Sequence, residues 1–268
     1  MITLTLKRES NIPLDGDVIT PDALHDKTNA KIKSTLITWG NKKLPLGEFF
    51  NVDGEKSSSI TVIGNCDKVK LIGHEMSFGS ILIKGNAGYN TGSYMTGGTL
   101  EIEGNTRDYL GAMMEGGQII CNGNTGHFLG GAYKGESSGM EGGEIIVHGN
   151  AGHEVGGFMR RGLIVVGGNC GDFPGIFMLA GTVVIIGQSG DRAGANMVRG
   201  TVVLMKDAPI LPSFYENSLL RSPAIDVLLN RISRFGINAN PGHTFRRFNG
   251  DVNQIGKGEI LVCTSKQN

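Results

Sequence analysis

A column of polar side chains, repeated along the chain, holds the residue types best suited to chemistry. Each lies three residues after a Gly-Asn or Gly-Gln pair, and the column consists of Tyr89, Asp108, His127, His153, Asp172 and Asp191. Stacked His and Asp side chains could bind zinc or form an acid–base pair. Turn positions that face water accept any polar residue, however, and a linear ladder offers a metal ion poor tetrahedral geometry. We expect a structural role for this polar column.

Other candidate catalytic groups have weaker support. The four cysteines are scattered without a C-x-x-C pair, so neither a disulfide framework nor a zinc site is predicted. The stretch from Gly130 to Ser137 loosely resembles a phosphate-binding loop, but its order is Lys-Gly and no helix follows. The sequence has no Ser/His/Asp set, H-E-x-x-H motif or paired-carboxylate cleft. We therefore predict no catalytic residue and no metal ligand.

The polar column belongs to a repeat that extends from about residue 60 to residue 205. The step is nineteen residues in most places, with a first asparagine step of twenty-one and one later step of twenty-six. Two further columns keep the same phase: Asn65, Asn86, Asn105, Asn124, Asn150, Asn169 and Gln188, and Met76, Met95, Met114, Met140, Met159, Met178 and Met197. We expect the asparagines to form a hydrogen-bonded ladder and the methionines to fill the core. Columns that stay in phase predict a solenoid.

Two apolar columns within each repeat indicate a β-strand. Residues five and seven positions after each methionine are apolar, as in Ile119 and Cys121 or Val183 and Ile185, and this spacing is typical of a strand with one buried face. A nineteen-residue unit leaves no room for a helix between its glycines. We predict an all-β fold, a right-handed parallel β-helix of about seven turns. Leucine-rich repeats are the main alternative, but their signature is missing.

The residue between these two columns should face outward, and this outer column is apolar from Ile120 onward. An apolar face roughly 20 Å long is unusual on a free surface, so we expect it to be covered. Ser222, Pro223 and Gly236 have the positions of helix start and stop signals, and the residues between them form an apolar stripe. This helix should cover part of the outer face, and a partner protein should cover the rest. The candidate partner interface combines insertion residues with outer-column residues: Tyr133, Lys134, Glu136, Val165, Val184 and Val203.

These patterns divide the chain into three segments. Residues 1–56 should form an N-terminal cap with edge strands and one short helix near 21–26, because an open solenoid end exposes unpaired backbone groups. Residues 57–206 contain the repeats, with a seven-residue insertion at 132–138 that accounts for the longer step. Residues 207–268 should supply the helix and closing strands. Insertions in solenoids gather on binding faces, so this one predicts a contact with a partner.

Composition narrows the classes of function. Lysine and arginine total 25, as do aspartate and glutamate, so no net field attracts nucleic acid or an anionic membrane. No apolar run is long enough for a transmembrane helix, and the N-terminus has no signal-peptide pattern. We therefore expect a cytoplasmic protein that binds neither nucleic acid nor membranes.

The repeat, the helix after it and the closing stretch from Gly250 to Ile260 together resemble a known family. They are similar to the C subunits of formylmethanofuran dehydrogenase and of the bacterial formyltransferase/hydrolase complex, which are related to the β-helical C-terminal domain of glutamate synthase. The resemblance extends from about residue 57 to 264. The full set of ladder glycines and methionines is more specific than a single glycine-rich motif.

The resemblance implies a role in one-carbon metabolism. The archaeal complex reduces carbon dioxide to formylmethanofuran with a tungsten or molybdenum pterin and iron–sulfur clusters. The bacterial complex moves a formyl group from tetrahydromethanopterin to a methanofuran-type carrier and releases formate. Those centres belong to other subunits, which implies that this chain is a non-catalytic scaffold that docks on them and carries no cofactor itself. No catalytic or cofactor-binding residue is carried over.

Two other functions stay open at this point. One is a glutamate-synthase-type β-helix that couples ammonia and synthase sites, which predicts a neighbouring glutaminase and flavin synthase chain. The other is a β-helical enzyme that uses His127, His153 and Asp172 of the polar column. That enzyme would retain metal and activity when purified alone.

Overall fold

A computed structural model describes residues 1–264 of the chain, and this part is mostly β-structure. It contains seventeen strands and four helices. Thirteen strands form one sheet, in the order β15-β16-β17-β14-β13-β12-β11-β10-β9-β8-β6-β1-β5, and four form a second sheet, β4-β3-β2-β7. The element bounds follow by region.

The large sheet is built mainly from strands that recur with the sequence repeat. Its repeated strands are β6 (Ser59–Ile63), β8 (Ser80–Lys84), β9 (Thr99–Ile102), β10 (Gln118–Cys121), β11 (Glu144–Val147), β12 (Leu163–Val166), β13 (Thr182–Ile185) and β14 (Thr201–Leu204). Neighbours pair in parallel and in the register of the repeat, so that Ile119 lies opposite Leu100 on one side and Ile145 on the other. The predicted strand columns are confirmed, and the insertion does not shift their register.

The inner columns and the methionines form the main core. Ile119, Ile145 and all seven methionines of the repeat have no exposed surface. Corner glycines allow the repeats to approach this closely: Gly117 has φ +83°, and a Cβ there would lie 2.7 Å from the carbonyl oxygen of Gly98 and 2.8 Å from Met95 Cε. The methionines therefore act as core residues packed beneath the glycines of the next repeat.

The asparagine column forms the predicted ladder. The backbone N–H of Asn124 donates to Asn105 Oδ1 at 2.8 Å, and that of Asn150 donates to Asn124 Oδ1 at 2.7 Å. The ladder continues to Gln188, whose N–H donates to Asn169 Oδ1 at 2.7 Å. From Asn86 to Asn169, each side chain thus satisfies a backbone donor of the next repeat, including across the insertion.

The N-terminal segment covers the first repeat. It contains β1 (Ile2–Leu6), β2 (Leu14–Asp15), α1 (Pro21–Leu24), α2 (Asn29–Ser34), β3 (Leu36–Trp39), β4 (Lys42–Pro45), α3 (Leu46–Phe49) and β5 (Phe50–Asp53), and β7 (Val69–Lys70) follows the first repeat strand. β1 pairs in parallel with β6 and antiparallel with β5. The predicted helix near 21–26 is α1, which Thr20 caps by accepting from Ala23 N–H at 3.2 Å. Helices α2 and α3, which have six and four residues, were not predicted from the sequence.

The C-terminal segment closes the other end and covers the outer face. It contains β15 (Tyr215–Leu220), α4 (Pro223–Ser233), β16 (Phe245–Gly250) and β17 (Gly258–Cys263). β17 extends the parallel stack by pairing with β14, and β16 pairs antiparallel with β17. Helix α4 occurs where it was predicted, and its fully buried Leu229 and Ile232 pack in one cluster with the outer column.

This packing corrects part of the predicted partner interface. Val165, Val184 and Val203 have no exposed surface, because α4 and the segment after it, which includes Ile237 and Ala239, pack against them. The expectation that these three valines contact a partner protein is therefore wrong for the folded chain. Arg231 of α4 also forms an ion pair with Glu144 at the edge of this face.

Candidate interaction site at the insertion

The polar column binds the backbone of the next repeat, much as the asparagines do. Asp108 Oδ1 accepts from the N–H of His127 at 2.9 Å, His127 Nδ1 accepts from the N–H of His153 at 3.0 Å, and His153 Nδ1 accepts from that of Asp172 at 2.8 Å. The two imidazole rings stack with centroids 5.0 Å apart. Stacked rings direct their remaining nitrogens in parallel rather than toward one ion. Within residues 1–264, no group of three or more His, Cys, Asp or Glu side chains could hold a metal ion.

The cysteines lie in surroundings that favour the thiol form. Burial raises the pKa of Cys66 to about 12 and that of Cys121 to about 11, and it also raises the pKa of Cys170. A nucleophilic cysteine requires the opposite shift, which a cation or a helix N-terminus would provide. These three cysteines are thus small buried core residues.

The insertion folds over one face of the repeat and borders an open cleft of about 450 Å³. The cleft is lined by residues 131–136 and by side chains of the adjoining repeats, namely Tyr109, Phe128, Glu154 and Phe158, together with Gly157. A hydrogen bond joins the two ends of the insertion: Met140 N–H donates to Gly130 O at 2.9 Å. The same bond occurs in the preceding repeat, where Met114 N–H donates to Gly111 O at 3.3 Å. The hydrogen-bonding pattern of the repeat therefore continues directly after the insertion.

Aromatic rings form the walls of this cleft and extend beyond it. Tyr109 stacks on Phe128 with ring centroids 4.7 Å apart and planes inclined by 17°. Tyr133 from the insertion lies 5.1 Å from Tyr109 and 5.8 Å from Tyr94. At the other side Phe158 stacks on a phenylalanine of the following repeat at 4.8 Å. The result is two groups of aromatic rings, one on each side of the cleft.

Most of these aromatic residues occupy unusual backbone conformations. Two columns of non-glycine residues have φ between +52° and +65°, a region that bulky side chains rarely adopt. Six members of these columns are aromatic: Tyr94, Tyr109, Phe128, Phe158, Phe173 and Phe177. Glycine or asparagine would fit such corners with less strain. Strained positions filled by large rings point to a function for the surface they create.

The charges around the cleft are predominantly negative. Its lining includes the carboxylates of Glu136 and Glu154 and the ammonium of Lys134. Burial raises the pKa of Tyr109, and the negative charges of Glu154 and Asp108 raise it further. The phenol of Tyr109 thus lies in a negative potential, which favours cations over anions at this site.

Comparison with known proteins identifies the family. The model of the family described as "GXGXG motif" matches residues 56–230, well over half of the chain. The chain belongs to the GXGXG motif family. The matched range includes every repeat strand, the aromatic cleft and the first part of α4.

Relatives of this family member include subunits of formylmethanofuran dehydrogenases. It is 38% identical over 97 residues to the C subunit of the tungsten-containing formylmethanofuran dehydrogenase 2 of Methanothermobacter marburgensis, a match that covers 34% of this chain and 36% of that protein. It is 39% identical over 92 residues to the C subunit of the molybdenum-containing formylmethanofuran dehydrogenase 1 of Methanosarcina barkeri, covering 32% and 31%. The matches thus span about a third of the length of these curated relatives. The predicted resemblance to the C subunit of formylmethanofuran dehydrogenase is confirmed.

A solved structure matches this GXGXG family member along nearly its whole length. A chain in the crystal structure of the formyltransferase/hydrolase complex from Methylorubrum extorquens, determined with methylofuran, superposes with a TM-score of 0.92 at 31% sequence identity. The match covers 98% of this chain and all of the other chain. The N-terminal and C-terminal segments are therefore part of the shared architecture.

The structure brings together only half of the predicted interface. Tyr133, Lys134 and Glu136 line one cleft, whereas the three valines lie under α4. Sequence reasoning missed the aromatic members on the repeats, Tyr109, Phe128 and Phe158. A sequence signal for them existed, because Tyr109 and Phe128 lie two residues before Gly111 and Gly130, and Phe158 lies two residues after the equivalent Gly156.

Within residues 1–264, no helix has both the length and the apolar character needed to cross a membrane.

Proposed function

We propose that this chain is the non-catalytic scaffold of a complex that transfers formyl groups in one-carbon metabolism, in the position of the C subunit. The observation that carries the proposal is the end-to-end match to a chain of the formyltransferase/hydrolase complex, at 31% identity and a TM-score of 0.92. A shared motif alone would account for the repeats but not for the agreement of both end segments. Its partners would be the other subunits of such a complex.

The proposed fold of the scaffold is a right-handed parallel β-helix. Support comes from parallel register on more than one face: the strands pair from β6 to β14, and bridges outside the strands join Cys66 to Ala87 and Ala151 to Cys170. The asparagine ladder adds a third line of contacts at the corners. Successive repeats that contact each other at both their strands and their corners are typical of a coiled solenoid such as a β-helix.

The non-catalytic role agrees with how the polar groups are used. The His and Asp side chains of the polar column accept backbone hydrogen bonds, and burial keeps Cys66 and Cys121 as thiols. We propose that any tungsten or molybdenum pterin, iron–sulfur cluster or methanofuran-type carrier of the complex is held by other subunits. The proposed location is the cytoplasm.

Mild affinity purification of the tagged full-length chain from the organism that encodes it, followed by mass spectrometry, tests this role. We expect formyltransferase and amidohydrolase-like subunits to co-purify at fixed stoichiometry. Metal analysis of the same sample separates the two kinds of complex, because tungsten or molybdenum would indicate a dehydrogenase. Recovery of a glutaminase and a flavin synthase chain, or of a lone monomer, would contradict the proposal.

A further inference from the structure

Two glycines without a positive φ line the cleft at the insertion, Gly131 and Gly157. A second glycine column consists of Gly92, Gly111, Gly130, Gly156, Gly175 and Gly194. The residue after this glycine is Ser93, Ala112, Ile176 or Ala195 in four repeats, but it is Gly131 before the insertion and Gly157 after it. A Cβ at Gly157 would lie 3.4 Å from Ile176 Cγ2, an ordinary contact. The backbone therefore does not require glycine at 157, a position that lines the cleft without a side chain.

The open space has aromatic walls and a rim that carries more negative than positive charge. The aromatic rings of Tyr109, Phe128 and Phe158 line this space, and aromatic rings attract cations. Neither Glu136 nor Glu154 forms an ion pair with another side chain in residues 1–264, so both carboxylates are available to a ligand. Lys134 is the one cation in the lining, and it is exposed. A phosphate or carboxylate ligand would be repelled by the two glutamates.

We propose that this cleft binds an arginine side chain presented by a partner polypeptide. A guanidinium is planar and weakly hydrated, so it stacks on tyrosine and phenylalanine rings while its N–H groups donate to carboxylates. The cleft provides both: stacked rings at Tyr109 and Phe128, and carboxylates at Glu136 and Glu154. A lysine ammonium would gain the cation–π attraction without the planar stacking, and an uncharged side chain would gain neither.

This inference deepens the proposed function, because the arginine would belong to a neighbouring subunit. The two remain separable. If the complex assembles but the isolated chain does not bind arginine, the proposed ligand of the cleft is wrong and the scaffold role stands. If the chain binds arginine but assembles with no other subunit, the scaffold role is wrong and the proposed ligand stands.

The test uses the purified full-length chain and two short capped peptides, Gly-Arg-Gly and its citrulline analogue, which has the same shape without the charge. Titration is followed by saturation-transfer NMR. We expect the arginine peptide to bind with a millimolar dissociation constant and the citrulline peptide about tenfold more weakly. Equal affinity for the two peptides, or no arginine binding at roughly 10 mM, would overturn the proposal.

Two variants locate the binding site, and a third variant serves as a control. Gly157→Ile places in the cleft the side chain that the next repeat carries at Ile176, and it should abolish arginine binding. Glu154→Gln removes one carboxylate with little change of shape and should weaken binding about fivefold. Glu103→Gln alters an exposed carboxylate outside the lining and should change nothing. Unaltered arginine affinity in folded Glu154→Gln and Gly157→Ile proteins would overturn the assignment.

Discussion

Single residues in the corners of the repeat divide into those that hold the backbone and those that form a surface. Asparagine, aspartate and histidine side chains accept hydrogen bonds from backbone N–H groups of the next repeat, so donors at the corners are satisfied without water. Neighbouring corner positions, such as Tyr109 and Phe128, instead carry large rings in left-handed conformations. Two kinds of side chain at similar corners thus have different roles: one satisfies backbone donors, and the other lines the cleft.

Cys66 tests the structural interpretation through pH. Its pKa is raised to about 12 by burial from an ordinary value of 9.0. Above pH 9 the unfolded chain releases a proton that the folded chain keeps, so folding stability should fall as pH rises. The variant Cys66→Ala takes the residue found at the paired position Ala87 and removes this effect.

We expect the unfolding free energies of the wild type and Cys66→Ala to diverge between pH 8 and pH 10, roughly one unit on either side of the ordinary thiol pKa. Urea denaturation at a series of pH values measures the difference. A difference that stays constant across this range would show that the thiol is not buried in the folded state.

Among the elements, helix α4 explains why the outer column of the repeat strands is apolar. The outer column is apolar because α4 packs over it, while Phe245 of β16 and Leu261 of β17 extend the same face of the sheet and complete the cluster around Leu229 and Ile232. The opposite side of the helix faces solvent, where Val227 is 69% exposed. The helix therefore attaches by one stripe, which makes its contribution measurable with single substitutions.

Leu229→Ala should destabilise the attachment of α4 by about 2–5 kcal/mol, because it removes a fully buried side chain and leaves a cavity. Val227→Ala on the exposed side is the matched control and should change stability by less than about 0.5 kcal/mol. Hydrogen exchange should then rise in α4 of the Leu229 variant but not in β9, which contributes no residue to this cluster. Equal effects of the two substitutions would place the helix elsewhere.

Over the whole molecule, a regular stack is interrupted at one point within the repeats. The strands before and after the insertion pair in unbroken register, and hydrogen bonds at Gly130 and Met140 close its base. The excursion adds Tyr133, Lys134 and Glu136 to one face without disturbing the core. Stability thus resides in the stack, and the proposed recognition resides in the insertion.

Deletion of residues 132–138 should separate these two properties. It restores the nineteen-residue step, so we expect a folded chain with the same circular dichroism and a melting temperature within a few degrees of the wild type. The same variant should fail to bind the arginine peptide, and it should recover few partner subunits in the affinity purification. A deletion that unfolds the chain would show that the insertion is part of the core. One that folds and assembles normally would remove the insertion from the interface.

Much of the fold was predictable because a repeat amplifies weak local signals. One unit with apolar residues two positions apart is ambiguous, but the columns around Ile119, Val183 and their equivalents fix strand position and register together. Helix α4 was predictable from its start signal and its apolar stripe. The short helices α2 and α3 and the exposed strand β15 were missed, since they lie outside the repeat and have no strong cap or alternating pattern.

The sequence by itself determined the parallel strands, the ladder and the core, because each depends on spacing along the chain. Only the tertiary structure decided which surfaces stay free. The outer valines and the insertion were both expected to contact a partner, yet α4 folds back over Val165, Val184 and Val203. The tertiary structure likewise placed Tyr109, Phe128 and Phe158 around the same cleft as Tyr133. Burial and juxtaposition depend on how distant segments pack, and residue spacing does not encode that packing directly.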